Sequence, residues 1–174
     1  MKAAVFLDRD GTLNKNIWRN GKLTPPYSYD EVEIINGTQE ALNKLRKLNY
    51  IPIIITNQPD ISRGKVSLQE VNTINKVICE KLKIDYVYMC IHDDSDGCEC
   101  RKPKPGMILK AAVDLKLILN KSIVIGDRWR DIHAGQAAGC KSYLIDNAYD
   151  EPKPNLPYET VTSVLHLFMK LEVF

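Results

Sequence analysis

The chain has 174 residues, 44% of them hydrophobic and 26% charged, a size and balance that fit one globular domain and exclude both intrinsic disorder and a membrane-embedded protein. Lys and Arg number 24 against 22 Asp and Glu, a net charge of +2, so no global field recruits nucleic acid or a membrane and any anion site has to be local. Five cysteines cannot all pair within the chain. The apolar run after Met1 and Lys2 is too short for an export signal, so the expected compartment is the cytoplasm, where clustered thiols bind metal more often than they form disulfides.

Ala3 to Leu7 is the first of five short apolar runs that read as buried parallel strands. Asn14 to Glu33, with Trp18, Gly21, Pro25 and Pro26, reads as a long flap-like loop. Ala41, Leu42, Leu45 and Leu48 share one face of a helix, and Ile51 to Ile55 follows as the second strand. Ser67 and Glu70 form a capping box before a helix lined by Val71, Ile74, Val77, Ile78 and Leu82. Tyr86 to Ile91 is the third strand. Pro105 opens a helix through Ile108, Ala112, Leu115 and Leu119. Ser122 to Ile125 is the fourth strand, a helix follows Asp127, and Lys141 to Ile145 is the fifth. Pro152, Pro154 and Pro157 mark a loop without regular structure, and a last helix runs from about Val161 to Leu171. The alternation predicts one α/β domain over residues 1–174: a three-layer, doubly wound parallel sheet without a large cap domain, with function at the strands' carboxyl ends.

Asp8-Arg9-Asp10-Gly11-Thr12 follows the first strand. Residues two apart project to the same side of a strand, so Asp8 and Asp10 are expected to converge. Two close carboxylates need a cation or a shared proton, and either suits phosphoryl chemistry. The second strand ends in Thr56-Asn57-Gln58, a hydroxyl and amides able to hold a phosphoryl oxygen. The fourth ends in Gly126-Asp127-Arg128-Trp129-Arg130-Asp131, again an acid just past a buried strand. Arg101-Lys102-Pro103-Lys104-Pro105 brings positive charge to a helix N-terminus, which itself favours anions.

Together these motifs resemble the haloacid dehalogenase superfamily of phosphohydrolases over nearly the whole chain. More narrowly, Thr56-Asn57-Gln58, Ser62-Arg63-Gly64-Lys65, Cys98-Glu99-Cys100-Arg101-Lys102-Pro103 and Gly126-Asp127-Arg128 are similar to segments of the D-glycero-D-manno-heptose 1,7-bisphosphate 7-phosphatases, with histidinol-phosphatases as near relatives. The resemblance implies that Asp8 is the nucleophile and Asp10 the general acid and base. It implies magnesium on the Asp8 and Asp127 carboxylates and the Asp10 carbonyl, Thr56 and Asn57 gripping the phosphoryl group, and Lys102, with Lys104 as rival, neutralising charge. It gives Asp131 the orientation of a metal-bound water.

Cys90-x-His92-x5-Cys98-x-Cys100 supplies three sulfurs and an imidazole, enough for a closed, structural zinc site in a loop over 90–100. Arg63 and Arg101 are candidate ligands for a second phosphate, and Arg128 for substrate, because guanidinium grips phosphate bidentately. The expected partner is a phosphorylated sugar, with no nucleic acid, no membrane and a monomeric chain. Pro59-Asp60 departs from the Ser-Gly common in the heptose enzymes, and the short interval from His92 to Cys98 looks more like the histidinol-phosphatases. Histidinol phosphatase is therefore the first alternative activity. Behind it stand a polynucleotide 3′-phosphatase and a noncatalytic, zinc-stabilised phosphate-binding module.

Overall fold

Alternation within the first strand decides the architecture. Val5 and Leu7 face one side and Ala4 and Phe6 the other, and all four are fully buried, so both faces of the strand need cover. A computed structural model describes residues 2–171; residues 1 and 172–174 of the expected domain lie outside the described residues. In chain order the elements are β1 (Ala3–Leu7), β2 (Ile17–Arg19), β3 (Lys22–Thr24), α1 (Thr38–Lys47), β4 (Tyr50–Asn57) and α2 (Leu68–Leu82). They continue with β5 (Tyr86–Cys90), α3 (Gly106–Leu115), β6 (Ile123–Gly126), α4 (Trp129–Ala137), β7 (Lys141–Ile145), β8 (Glu159–Val161) and α5 (Val164–Leu171).

Six parallel strands form the main sheet in the order β5-β4-β1-β6-β7-β8. On one face Val5, Leu7, Ile54 and Ile125 pack with Leu42 and Leu45 of α1, Ile74 and Ile78 of α2 and Leu167 and Phe168 of α5. On the other, Phe6, Ile53, Ile55 and Val124 meet Met107, Ile108 and Ala111 of α3 and Ala134 of α4. This is the three-layer, doubly wound arrangement expected from the sequence. The chain builds outward from β1 through β4 to β5, then returns to β6 on the other flank of β1. That reversal opens a crevice at the strands' carboxyl ends.

Three segments differ from expectation. The supposed loop over 14–33 contains the β2/β3 hairpin, closed by Asn20 and Gly21, both at positive φ, the conformation a tight two-residue hairpin turn demands. β8, a sixth strand, forms directly after the proline-rich stretch. A three-residue edge strand needs few ladder bonds and tolerates a nearby proline, and burial of Val161 fixes it. The last helix consequently starts at Val164, three residues later than expected. Pro105 caps α3 rather than opening it, and α3 ends at Leu115, where Lys116 takes a left-handed conformation, leaving Leu119 in a short 3-10 turn. Among the described residues no helix is long and apolar enough to cross a membrane.

Candidate active site

Asp8 is the first residue beyond the central strand, and its amide extends the ladder by donating to the Ile125 carbonyl at 3.0 Å. Lys102 reaches the same point from the segment before α3. Its Nζ donates to Asp8 Oδ1 at 2.7 Å and to the Ile55 carbonyl at 2.8 Å, and pairs with Asp131 Oδ1 at 2.5 Å. Three acceptors match the three N–H bonds of an ammonium, so this lysine is satisfied although only 3% exposed. Burial opposes its charge, but Asp131 and Asp8 outweigh burial and hold its pKa above the usual lysine range. Asn57, at the end of β4, fixes the lysine's backbone: Oδ1 accepts from Lys102 N at 3.1 Å and Nδ2 donates to Lys102 O at 3.0 Å. The carboxamide expected to grip a phosphoryl group is thus largely committed to placing Lys102.

β6 ends in Gly126 and presents Asp127. Two glycines make room for these acids: a Cβ on Gly126 would collide with the Asp131 carboxylate, and one on Gly11, where φ is +90°, with that of Asp127. Asp131 gives Oδ1 to Lys102 and accepts the Arg128 amide through Oδ2 at 3.0 Å, closing the first turn of α4. One carboxylate oxygen from each of Asp8, Asp127 and Asp131 lies within 4.8 Å of the others. Three acids then face a single ammonium. Burial first, and then Asp131 and Asp10 as like charges, raise the Asp8 pKa to about 7 against the pull of Lys102. Burial, Asp8 and Asp131 raise that of Asp127 well above the ordinary carboxylate range. Among the described residues no protein donor reaches Asp8 Oδ2 or Asp127 Oδ1. The uncompensated charge and the two free oxygens suit a hard divalent cation.

Asp10 lines the same cleft, but its charge is met in a way the sequence reading did not anticipate. Arg9 Nε lies 3.1 and 3.0 Å from its two oxygens, Asn14 Nδ2 donates at 3.0 Å and Gln58 Nε2 at 2.8 Å. The Asp10 carboxylate stands outside the acid triad and is paired with a fully buried arginine, while its like charge still acts on Asp8, so the expected repulsion of the pair is present but softened. Continuing the alternation of Val5 and Leu7 puts Arg9 on the α2 face, where Asn75 Oδ1 accepts from it at 2.7 Å. That period-two signal, with an asparagine beside the apolar stripe of α2, was available in the sequence. Thr56 is buried, and its hydroxyl oxygen accepts from Gln58 Nε2 at 2.8 Å. Tyr149, which carries no sequence pattern, donates to Asp127 Oδ2 at 2.7 Å.

Around these acids opens a cleft of about 450 Å³ whose rim is cationic, with Arg63, Lys65, Arg101, Arg128 and Arg130, and whose roof includes the hairpin residues Lys22 to Pro25. Each arginine named from the sequence lines it and is paired. Arg63 binds Asp93 through two bonds, Arg101 binds Asp94, and Arg128 reaches Glu151 at 3.2 Å while stacking on the Tyr149 ring. Lys104 is excluded as the buried lysine, being exposed and paired with Glu99 at 2.8 Å. Beside the cleft, Cys90, His92, Cys98 and Cys100 converge. Cys90 Sγ lies 3.6 Å from His92 Nδ1 and from Cys98 Sγ, and Cys100 Sγ lies 3.1 to 3.4 Å from the other three ligand atoms. A tetrahedral zinc with sulfur at about 2.3 Å has edges of roughly 3.8 Å, so the cluster fits such an ion with slight expansion.

This fold and site define a class. The haloacid dehalogenase-like hydrolase family matches residues 23–139, and the chain belongs to it. Within that class it is 35% identical over 156 residues to the D-glycero-beta-D-manno-heptose-1,7-bisphosphate 7-phosphatase of Pasteurella multocida, covering 83% of this chain and 82% of the relative. The enzyme of the same name from Haemophilus influenzae is 36% identical over 160 residues, with the same coverage. The crystal structure of D,D-heptose 1,7-bisphosphate phosphatase from B. bronchiseptica, complexed with magnesium and phosphate, superposes with a TM-score of 0.82 at 26% identity over 99% of both chains.

A raised carboxyl pKa destabilises the fold where the group is ionised: the contribution is favourable below the unfolded value near 4 and is lost as pH rises through the folded value. In EDTA the chain is therefore expected to lose stability from pH 4 to about 7 through Asp8, and further through Asp127. Asp127→Asn should raise the metal-free melting temperature at pH 8 by several degrees, on the order of 1–2 kcal/mol, with the gain vanishing towards pH 4. A variant less stable than the parent at pH 8 contradicts the charge-repulsion account.

Proposed function

We propose that the chain is a magnesium-dependent phosphomonoester hydrolase that removes the 7-phosphate of D-glycero-β-D-manno-heptose 1,7-bisphosphate in the cytoplasm. The observation that carries this reading is Asp8 itself, with Oδ1 pinned by Lys102 and Oδ2 free at the floor of a cation-rimmed cleft. Magnesium would be held by the Asp8 and Asp127 carboxylates and the Asp10 carbonyl, where it supplies positive charge against the converging anions. Asp8 attacks phosphorus and the bond to the sugar oxygen breaks, with Asp10 giving that oxygen a proton. Water then attacks the aspartyl-phosphate, Asp10 takes its proton, and the bond to Asp8 breaks to release phosphate. The Thr56 hydroxyl and Lys102 stabilise the transferring group. Asn57 and Asp131 hold Lys102 in place, and the Asp10 carboxylate is kept in register by Arg9, Asn14 and Gln58. Arg63, Arg101 and Arg128 are the proposed contacts to the sugar and its second phosphate.

The substrate choice draws on the names of the relatives together with the number of guanidinium groups on the rim, more than a single phosphoryl group can use. In this reading the cysteine and histidine cluster holds a structural zinc, since four protein ligands leave no position for an activating water.

Steady-state kinetics with both anomers of heptose 1,7-bisphosphate and with histidinol phosphate tests the substrate. The β anomer is expected to have the highest kcat/KM, and preference for histidinol phosphate overturns the heptose assignment while sparing the hydrolase. Asp8→Asn should lower turnover on the order of a thousandfold or more with an unchanged circular dichroism spectrum; near-wild-type turnover refutes the nucleophile. A thiol-competitive chelator should release about one zinc per chain and lower the melting temperature; metal-free protein with unaltered melting counts against the zinc site.

A further inference from the structure

Arg63 and Arg101 each hold two acceptors of different character. Arg63 reaches Asp60 Oδ1 at 3.3 Å, and Asp60 is 6% exposed and locked by the Tyr27 hydroxyl at 2.6 Å and by Lys65 at 3.1 Å. Arg101 donates to the backbone carbonyl of His92 at 3.2 Å. These partners are fixed parts of the fold. The second partners come from the turn at the tip of the 90–100 loop: Asp93 takes Arg63 at 2.6 and 2.5 Å, and Asp94 takes Arg101 at 2.7 Å. Asp93 is half-buried and Asp94 exposed, both on one short turn, and Arg130 also approaches Asp94, at 4.0 Å. Asp93 binds Arg63 through Nε and one terminal nitrogen, the edge a phosphate would use. Two consecutive acids thus occupy guanidinium groups that line the cleft, Asp94 from within the lining and Asp93 from just behind it.

We propose that Asp93 and Asp94 are built-in counter-anions that compete with a ligand's distal phosphate for Arg63 and Arg101, and so set the affinity and release of that phosphate. The inference rests on the phosphomonoester hydrolase reading but not on the heptose. A phosphate dianion carries more charge and one more acceptor oxygen than a carboxylate, so it displaces the aspartates at a cost. Asp93 retains the Asp94 amide at 2.8 Å as a partner when displaced, which keeps that cost small. After hydrolysis at the other end of a bisphosphate, the product still bears its distal phosphate, and the returning aspartates displace it. Asp60 and the His92 carbonyl keep the arginines aimed at the cleft throughout the exchange.

The test is competitive inhibition of aryl phosphate hydrolysis by fructose 1,6-bisphosphate and by fructose 6-phosphate, in the wild type and in Asp93→Asn/Asp94→Asn. Asparagine keeps the oxygen that caps the turn, and circular dichroism with melting temperature checks the fold. The double variant is expected to favour the bisphosphate over the monophosphate at least five-fold more than the wild type does. An unchanged ratio, or a bisphosphate that binds more weakly, overturns the proposal; the second result would make the aspartates supports for the arginines. If the wild-type protein is inactive on aryl phosphates, the same two sugars compared by thermal shift decide the exchange, while inactivity on heptose 1,7-bisphosphate and histidinol phosphate as well refutes the hydrolase reading instead. The single variants should each give part of the effect, and a double variant that fails to fold leaves that partial shift as the deciding measurement.

Discussion

The ammonium of Lys102, held between Asp8, Asp131 and the carbonyl of Ile55, is the interaction on which the site depends. A buried charge is tolerated only when paired and fully hydrogen-bonded, and each of its partners belongs to a different element. Asp8 follows β1, Ile55 lies in β4 and Asp131 sits in the first turn of α4. Forming this one cluster therefore requires the central strand, its neighbour and the helix on the far side of the switch point to be in register. The demand spreads outward. Asn57 must hold the lysine's backbone, Gly126 must lack a side chain for Asp131 to approach, and the Asp131 carboxylate must cap α4 at the same time.

Charge in the cleft is layered. Inside, three acids share one lysine, an excess of negative charge that raises two carboxyl groups out of their ordinary range. Outside, four arginines and a lysine form the rim, several already matched to acids. The net of +2 averages over this arrangement and conceals it. An anionic ligand crossing the rim enters a favourable field, while the inner acids, without a cation, would repel it. Selection of phosphate esters thus depends on both layers together, and a change to either alters binding and chemistry at once.

Much of this was legible in the sequence, for a definite reason. Strands buried on both faces appear as unbroken apolar runs, so β1, β4, β6 and β7 and the acids, hydroxyl and amides at their ends could be located directly, and the half-buried edge strand β5 carries a similar apolar run. The hairpin over Ile17–Thr24 and the strand Glu159–Val161 have three-residue strands whose pairing is set by turns and edges, and no periodicity of that length stands out. The zinc-type cluster was readable because its ligands are close in sequence, whereas Tyr149 meets Asp127 from 22 residues away in an aperiodic loop. Arg9 was a different kind of miss. Its position in the alternation predicted burial, and a buried arginine demands acceptors, so Asp10 could have been assigned a partner in addition to its repulsion of Asp8.

The cysteine cluster and the lysine belong to one mechanical unit. Cys100 is two residues before Lys102, and Cys90 ends β5 beside Asn57, its partner in the β4 ladder. A metal joining Cys90 to Cys98 and Cys100 would close the 90–100 loop at its base and tie it to the strand whose neighbour clamps Lys102. The loop's own residues cannot do this by burial, since Asp94, Ser95, Asp96 and Gly97 are exposed, and coordination supplies the ordering that packing does not. The loop tip is then free to carry acids that face the rim arginines, while its base fixes the lysine. A structural metal remote from the reacting atoms would in this way hold both the ammonium at the cleft floor and the exchangeable anions at its edge.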